Sequence, residues 1–192
     1  MASVLITGGA RSGKSWFAEQ FAASLGTEGI YVATSQTLDD EMRERIRRHQ
    51  VRREGMPFLW NTVEEPYHLV QVLEASRGSI VLIDCLTLWL SNWLIRCERE
   101  ADAEAAVQAQ VEALISAFSQ LSADDAVIAV TNEVGSGVVP AYPLGRQFRD
   151  LAGWMNQRLA AVCEEVFLVT AGIPVELKRL AYTLPRGDGT PR

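Results

Sequence analysis

Ser3-Val4-Leu5-Ile6-Thr7-Gly8-Gly9-Ala10-Arg11-Ser12-Gly13-Lys14-Ser15 joins an apolar run to an octet that fits G-x-x-x-x-G-K-[ST] at every fixed position. A helical pattern over 14–25 follows it, so the octet stands between strand and helix as a phosphate loop requires. The plainer reading, a glycine-rich turn that happens to spell the motif, does not account for both flanks. Glycine permits positive φ and lets backbone N–H groups curl toward a polyphosphate, while a helix starting near Gly13 aims its positive end at the same anion. Gly8, Gly9, Ala10, Arg11, Ser12 and Gly13 then form the cradle. Lys14 reaches β- and γ-phosphates, and the Ser15 hydroxyl takes a place on Mg²⁺.

Outward from the loop, short β-branched runs alternate with segments of helical period, which predicts an α/β fold with a mainly parallel sheet. Strands are expected at Ser3–Thr7, Ile30–Thr34, Phe58–Val63, Ile80–Asp84, Ala126–Thr131 and Val166–Thr170. Helices are expected at about 14–25, 39–54, 66–76, 87–97, 102–121 and 145–163, with Pro66 in a first turn and Gly26 and Gly78 as stops. Continuously apolar Ile80-Val81-Leu82-Ile83 suits a strand covered on both faces. The fold expected is one P-loop NTPase domain, RecA-like, its sheet flanked by helices, over residues 1–182. Residues 183–192, polar and bearing Pro and Gly, read as a loose tail.

Composition bounds the rest. The chain has 192 residues, 48% of them apolar, so a full core needs no disulfide or metal staple. Eighteen Lys and Arg against 24 Asp and Glu give a net charge of −6, which argues against a surface that wraps nucleic acid. Three cysteines without a C-x-x-C pair fit a reducing cytoplasm better than secretion. No signal-peptide pattern opens the chain, and no apolar stretch reaches the ~20 residues of a membrane span.

A phosphate loop also needs a carboxylate at the end of a neighbouring buried strand to hold the magnesium. Asp84 closes Ile80–Asp84, although Asp is equally a favoured helix N-cap. A second acid, Glu133 in Thr131-Asn132-Glu133-Val134-Gly135, would face the ligand crevice at the carboxyl end of its strand. A switch GTPase is disfavoured, because Asp84 is followed by Cys85-Leu86-Thr87 instead of x-x-G. Small-molecule kinases and RecA-like motors remain, and the small single domain favours a transferase.

Six arginines fall within the eleven residues Arg43–Arg53. Glu41 with Arg45 and Glu44 with Arg48 make i,i+4 pairs, so one reading is a solvated helix laced with weak ion pairs. Met42, Ile46, His49 and Arg53 also share one helical stripe, which sets an imidazole beside a guanidinium and could bring His49 to the rim of an anion site. Residue physics alone leaves His49 between a structural and a chemical role. His68, near the start of a helix, reads as structural or surface. Trp60, Trp89, Trp93 and Trp154 read first as packing, and Leu86–Ile95 as an apolar helix able to make subunit contacts.

Taken together, these stretches resemble the bifunctional adenosylcobinamide kinase/adenosylcobinamide-phosphate guanylyltransferases of coenzyme B12 biosynthesis. The likeness rests on Thr7–Ser15, Tyr31-Val32-Ala33-Thr34-Ser35, Asp39–Met42 with Arg45, Ile46 and His49, Thr62–Pro66, Thr131–Pro140, Gly145–Gly153 and Asn156–Ala160. It implies two reactions: phosphorylation of adenosylcobinamide by ATP or GTP, then transfer of GMP from GTP to adenosylcobinamide phosphate. It also implies that GMP is carried on His49. Adjacent guanidinium groups favour the neutral imidazole that attack on phosphorus requires. Nucleotide contacts are implied on the P-loop, on Ala33, Thr34 and Ser35, on Gln50, Val51, Arg52 and Arg53, and on Glu64 and Asp84. Mg²⁺ is expected on Ser15 and Asp84, and a homotrimer is expected from the resemblance. Two other readings stay open: a single-activity kinase with an inert His49, and a nucleotide-gated nucleic-acid module, which the acidic balance disfavours.

Overall fold

The structure is a computed structural model that describes residues 2–36, 55 and 57–182. Its elements are β1 (Ala2–Thr7), α1 (Lys14–Leu25), β2 (Glu28–Ala33), β3 (Leu59–Glu64), α2 (Leu69–Ala75), β4 (Ile80–Asp84) and α3 (Leu86–Cys97). They continue with α4 (Ala103–Ser119), β5 (Ala126–Val130), α5 (Pro143–Val162), β6 (Glu165–Thr170), β7 (Ile173–Glu176) and α6 (Leu177–Leu180). The strands form one sheet in the order β3-β2-β4-β5-β1-β6-β7, parallel throughout except for the antiparallel edge strand β7.

Side chains alternate along each strand and so feed two separate apolar layers. Val4, Ile6, Leu82, Ile128 and Val130 pack with Ala18 and Ala22 of α1 on one face. Leu5, Val81, Ile83, Val127 and Ala129 pack on the other with residues of α2, α3, α4 and α5. Both faces are covered, which is why these strands read as unbroken apolar runs. The expected α/β layering with a mainly parallel sheet is therefore the one found.

Register places the chemistry. Ile6 pairs with Val130, Val130 with Asp84, Asp84 with Ala33 and Ala33 with Glu64, so all carboxyl ends finish on one edge. In a parallel sheet that edge is where ligands bind.

Several boundaries differ from expectation. Helix α2 begins at Leu69 and not at Pro66, because Glu65 Oε1 accepts the N–H groups of Tyr67 and His68, both at 2.9 Å, and turns the chain first. Helix α5 starts earlier than 145, with Pro143 in its first turn. Strand β7 and the short α6 were not anticipated. Helix α3 spends its apolar face inside the chain: Leu86, Trp89, Leu90 and Leu94 are buried, leaving Ile95 exposed, so it is not a free subunit surface. His68 is exposed beside the Trp93 ring. The expected helix 39–54, with Met42, Ile46, His49 and Arg53, and the expected tail 183–192 lie outside the described residues. Among the described residues no helix is long and apolar enough to cross a membrane.

At the opposite, amino end of the sheet Asp125 ties two turns together. It is 3% exposed and accepts the N–H groups of Gly78 at 2.8 Å and Ser122 at 2.7 Å, with the Arg77 guanidinium at 2.7 Å. Burial pushes its carboxyl up, but the Gly78 and Ser122 N–H groups, Arg77 and the Ser122 hydroxyl outweigh that and hold it well below the usual carboxylate range. A depressed folded value stabilises the fold above the unfolded value of about 3.9 and loses that contribution as pH falls through the folded one. Asp125→Asn is expected to cost about 2 kcal/mol at neutral pH. The gap should narrow when urea midpoints of variant and wild type are compared below about pH 4.

Candidate active site

The phosphate loop leaves β1 at Thr7 and is shaped by two glycines at which any side chain would be strained. Gly8 has φ +157, and a Cβ there would lie 2.4 Å from the Val169 carbonyl oxygen and 2.7 Å from Ser12 Oγ. Gly13 has φ +96, and a Cβ would press on Gly172 Cα at 3.3 Å. Both the positive φ and the crowding demand glycine.

Two backbone bonds clamp the loop from either side. Gly172 N–H donates to Ser12 O at 2.8 Å, from a hairpin turn in which Ala171 (φ 52) and Gly172 (φ 80) take the paired positive φ of a two-residue connection. Glu133 N–H, just beyond β5, donates to Gly8 O at 3.2 Å.

What the clamped loop presents suits an anion. Helix α1 starts on Gly13 with no side-chain cap and no acid in its first turn, so its positive end is left for a ligand. Ser12 Oγ is buried without a hydrogen-bond partner among the described residues, an orphan donor of the kind a phosphate oxygen satisfies. Lys14 is 6% exposed, with Nζ donating to Gly9 O at 3.0 Å across the loop. Ser15 is half-buried on the same first turn, while Gly9, Ala10 and Arg11 are exposed.

Asp84 ends β4, about 10 Å from β1 with β5 between them. Its Oδ2 accepts the Tyr31 hydroxyl at 2.8 Å, and the N-cap of α3 is Cys85 without a side-chain bond. Asp84 therefore does not cap that helix. The thiol of Cys85 is pushed up by burial and then by the charge of Asp84, with Lys14 acting in the opposite sense, so both charges converge on this end of the sheet.

The remaining expected residues divide. Ala33 ends β2 and Thr34 and Ser35 follow it, while Glu64 ends β3, the far edge strand, about 19 Å from β1 at four strand spacings. Thr34 is fully buried: its hydroxyl donates to Cys85 O at 2.7 Å and accepts Cys85 N–H at 2.8 Å. That side chain latches β2 to β4, whereas Ala33 and Ser35 on either side of it are half-buried. Glu64 is exposed. His49, Gln50, Val51, Arg52 and Arg53 lie outside the described residues.

Trp89 and Trp93 are core, each indole N–H bonded to Tyr67 O, and Trp60 and Trp154 are half-buried. Two features escaped the sequence reading. Trp16, two residues beyond Lys14, is 51% exposed, and the Ala171-Gly172 turn buttresses the loop. A glycine between two β-branched runs was the available signal for the turn.

Comparison with known proteins matches the sequence to a family. Residues 4–177 match the family described as cobinamide kinase / cobinamide phosphate guanyltransferase, CobU. The bifunctional adenosylcobalamin biosynthesis protein CobU of Escherichia coli is 43% identical over 185 residues, covering 91% of this chain and 99% of the relative. The protein of the same description, CobP, from Pseudomonas aeruginosa is 44% identical over 176 residues, covering 91% and 96%. Among solved structures, an ATPase of a bacterial type III secretion system superposes with a TM-score of 0.50 at 12% identity. It covers 94% of this chain, which spans 58% of that larger one, and it speaks for the fold alone. A clamped phosphate loop, a strand-end carboxylate and near full-length relatives agree: the chain belongs to the cobinamide kinase / cobinamide phosphate guanyltransferase family.

Proposed function

We propose that this chain transfers the γ-phosphoryl group of ATP or GTP to the hydroxyl of adenosylcobinamide, and then moves GMP from GTP onto the resulting adenosylcobinamide phosphate through a guanylyl-His49 intermediate. The observation that carries the reading is the preformed anion cradle: an uncapped α1, the orphan Ser12 hydroxyl and Lys14 drawn across the loop. Phosphoryl transfer asks the protein mainly for positioning and charge stabilisation, which such a cradle supplies.

The residues fit Mg²⁺. Ser15 and Asp84 offer hard oxygen donors, and among the described residues no group of three or more His, Cys, Asp or Glu is placed to cage a metal. Magnesium prefers a site of that kind, where phosphate oxygens and water complete its shell. When bound, it neutralises charge on the phosphoryl oxygens. Tyr31 fixes the Asp84 carboxylate in place for that role.

In the second reaction a His49 nitrogen attacks the α-phosphorus of GTP, a P–N bond forms and the bond to pyrophosphate breaks. An oxygen of adenosylcobinamide phosphate then displaces the imidazole, dividing one displacement between anions into two. Arg52 and Arg53, two of the guanidinium groups near His49 in sequence, would offset the phosphate charge. The three buried free thiols suit a cytoplasmic enzyme. We also carry the homotrimer as a proposal, with exposed Ile173, Leu180 and Tyr182 beside the edge strand as available surface and light scattering as its check.

The test is incubation with adenosylcobinamide, magnesium and GTP. The expected products are the phosphate ester followed by the GDP conjugate, with pyrophosphate released. Accumulation of the ester alone would mark a single-activity kinase. No corrinoid turnover together with salt-dependent binding of RNA or DNA would mark a nucleic-acid module.

A further inference from the structure

We propose that Glu133 is the general base of the phosphoryl-transfer step, receiving on Oε2 the proton of the acceptor hydroxyl; this rests on the kinase reading above. Three bonds hold the residue at the mouth of the phosphate loop. Its N–H donates to Gly8 O at 3.2 Å, while Oε1 accepts from Thr7 Oγ1 at 2.7 Å and Asn156 Nδ2 at 3.4 Å. Thr7 and Asn156 are themselves buried, and Asn156 is anchored by Thr131 Oγ1 at 2.7 Å and by its own bond to Asn132 O at 3.2 Å. One carboxylate oxygen is thus fixed from beneath. No hydrogen bond to Oε2 occurs among the described residues, and the side chain is exposed on the ligand side of the sheet.

An ionised carboxylate beside an anion cradle is costly in Coulomb terms, and a surface glutamate with free rotamers would swing away from it. Here the packing holds it in place. A fixed negative oxygen at that spot serves a hydroxyl that approaches the γ-phosphorus and must shed its proton. Asp84, the acid that ends β4, already accepts the Tyr31 hydroxyl and stands across β5 from β1, and Glu64 lies farther off on the edge strand β3.

The step balances simply. The acceptor oxygen forms a bond to the γ-phosphorus, the bond from that phosphorus to the nucleoside diphosphate breaks, and the hydroxyl proton passes to Glu133 Oε2 and later to water. The second reaction needs no such base, because its acceptor is a phosphate oxygen that is already ionised. Glu133 therefore acts in one of two reactions that share an edge.

Glu133→Gln keeps shape and the Oε1 acceptor but removes basicity. It is expected to slow adenosylcobinamide phosphorylation about 100-fold in kcat. Transfer of GMP to supplied adenosylcobinamide phosphate should stay within about 3-fold of wild type, and Glu133→Asp should recover part of the kinase rate. Release of inorganic phosphate from GTP without corrinoid, with water as acceptor, should fall in parallel with the kinase rate. Kinase activity within about 5-fold of wild type in the glutamine variant overturns the assignment. So does an equal loss in both transfers, which would mean a structural or charge effect. If wild type phosphorylates water but no corrinoid, the substrate reading fails while the base is still judged: hydrolysis lost in Glu133→Gln upholds it, and hydrolysis unchanged removes it. Wild type that releases γ-phosphate to neither acceptor overturns both.

Discussion

His49→Ala is expected to take up no guanylyl label from GTP marked at its α-phosphorus, while wild type retains the label through denaturation. The bond in question is a phosphoramidate, so the wild-type label should be lost in acid and kept in alkali. Alanine removes the attacking nitrogen altogether. No second imidazole stands in for it: His68, the other histidine of the sequence, sits before α2 beside Tyr67 and Trp93. Guanylyl transfer should fall by more than about 10³-fold, the scale on which loss of a covalent nucleophile is felt. The kinase reaction should survive, since it needs the phosphate loop and an acceptor hydroxyl but no histidine. Equal labelling of both proteins would remove His49 from the mechanism and leave a single-activity kinase as the better reading.

Lys14→Ala is expected to damage both reactions by about 10³-fold in kcat/KM, the scale of removing a preorganised charge from a transition state. The loss should fall on chemistry more than on folding. Lys14 spans the loop to Gly9 O, but Gly172 and Glu133 hold the loop by backbone bonds that the substitution leaves in place. A melting temperature close to wild type should accompany the kinetic loss. The geometry makes the second reaction the sharper test. The residues implied to contact nucleotide reach from the loop to Glu64, about 19 Å along the sheet edge. If one cradle serves both reactions, a triphosphate must lie along that edge with its tail on Lys14. Guanylyl transfer that survives Lys14→Ala would instead mean two separate phosphate sites.

The sequence was most legible where a residue type is forced by backbone or by period. Gly8 and Gly13 spell the loop because positive φ and close neighbours there strain any side chain. Ile80–Asp84 announced a doubly covered strand through its apolar run and a ligand-edge acid through its last residue. What went unread lacked such a signature. Strand β7 has four residues with Pro174 among them, acceptable on an edge but below any readable alternation. Tyr31 and Asp84 meet across 53 positions of sequence, and neither announces the other. Both clamps on the loop use backbone N–H groups, and a backbone donor has no letter of its own. An Asp at a strand end is also a common helix cap, and only the structure shows that the N-cap of α3 is Cys85 and not Asp84.

The strand order has a consequence for biosynthesis. Strand β1 is made well before its two sheet neighbours, β5 and β6, which lie over a hundred positions later in the chain. At about 5–20 residues per second on the ribosome, both of its edges wait for several seconds or longer before pairing. Such distant pairings are slow to form, and an unpaired apolar edge is a site for misassociation. Gly172 is made later still, so the phosphate loop is synthesised well before the turn that clamps it at Ser12. Both backbone clamps, from Glu133 and from Gly172, are made more than a hundred residues after the loop they hold.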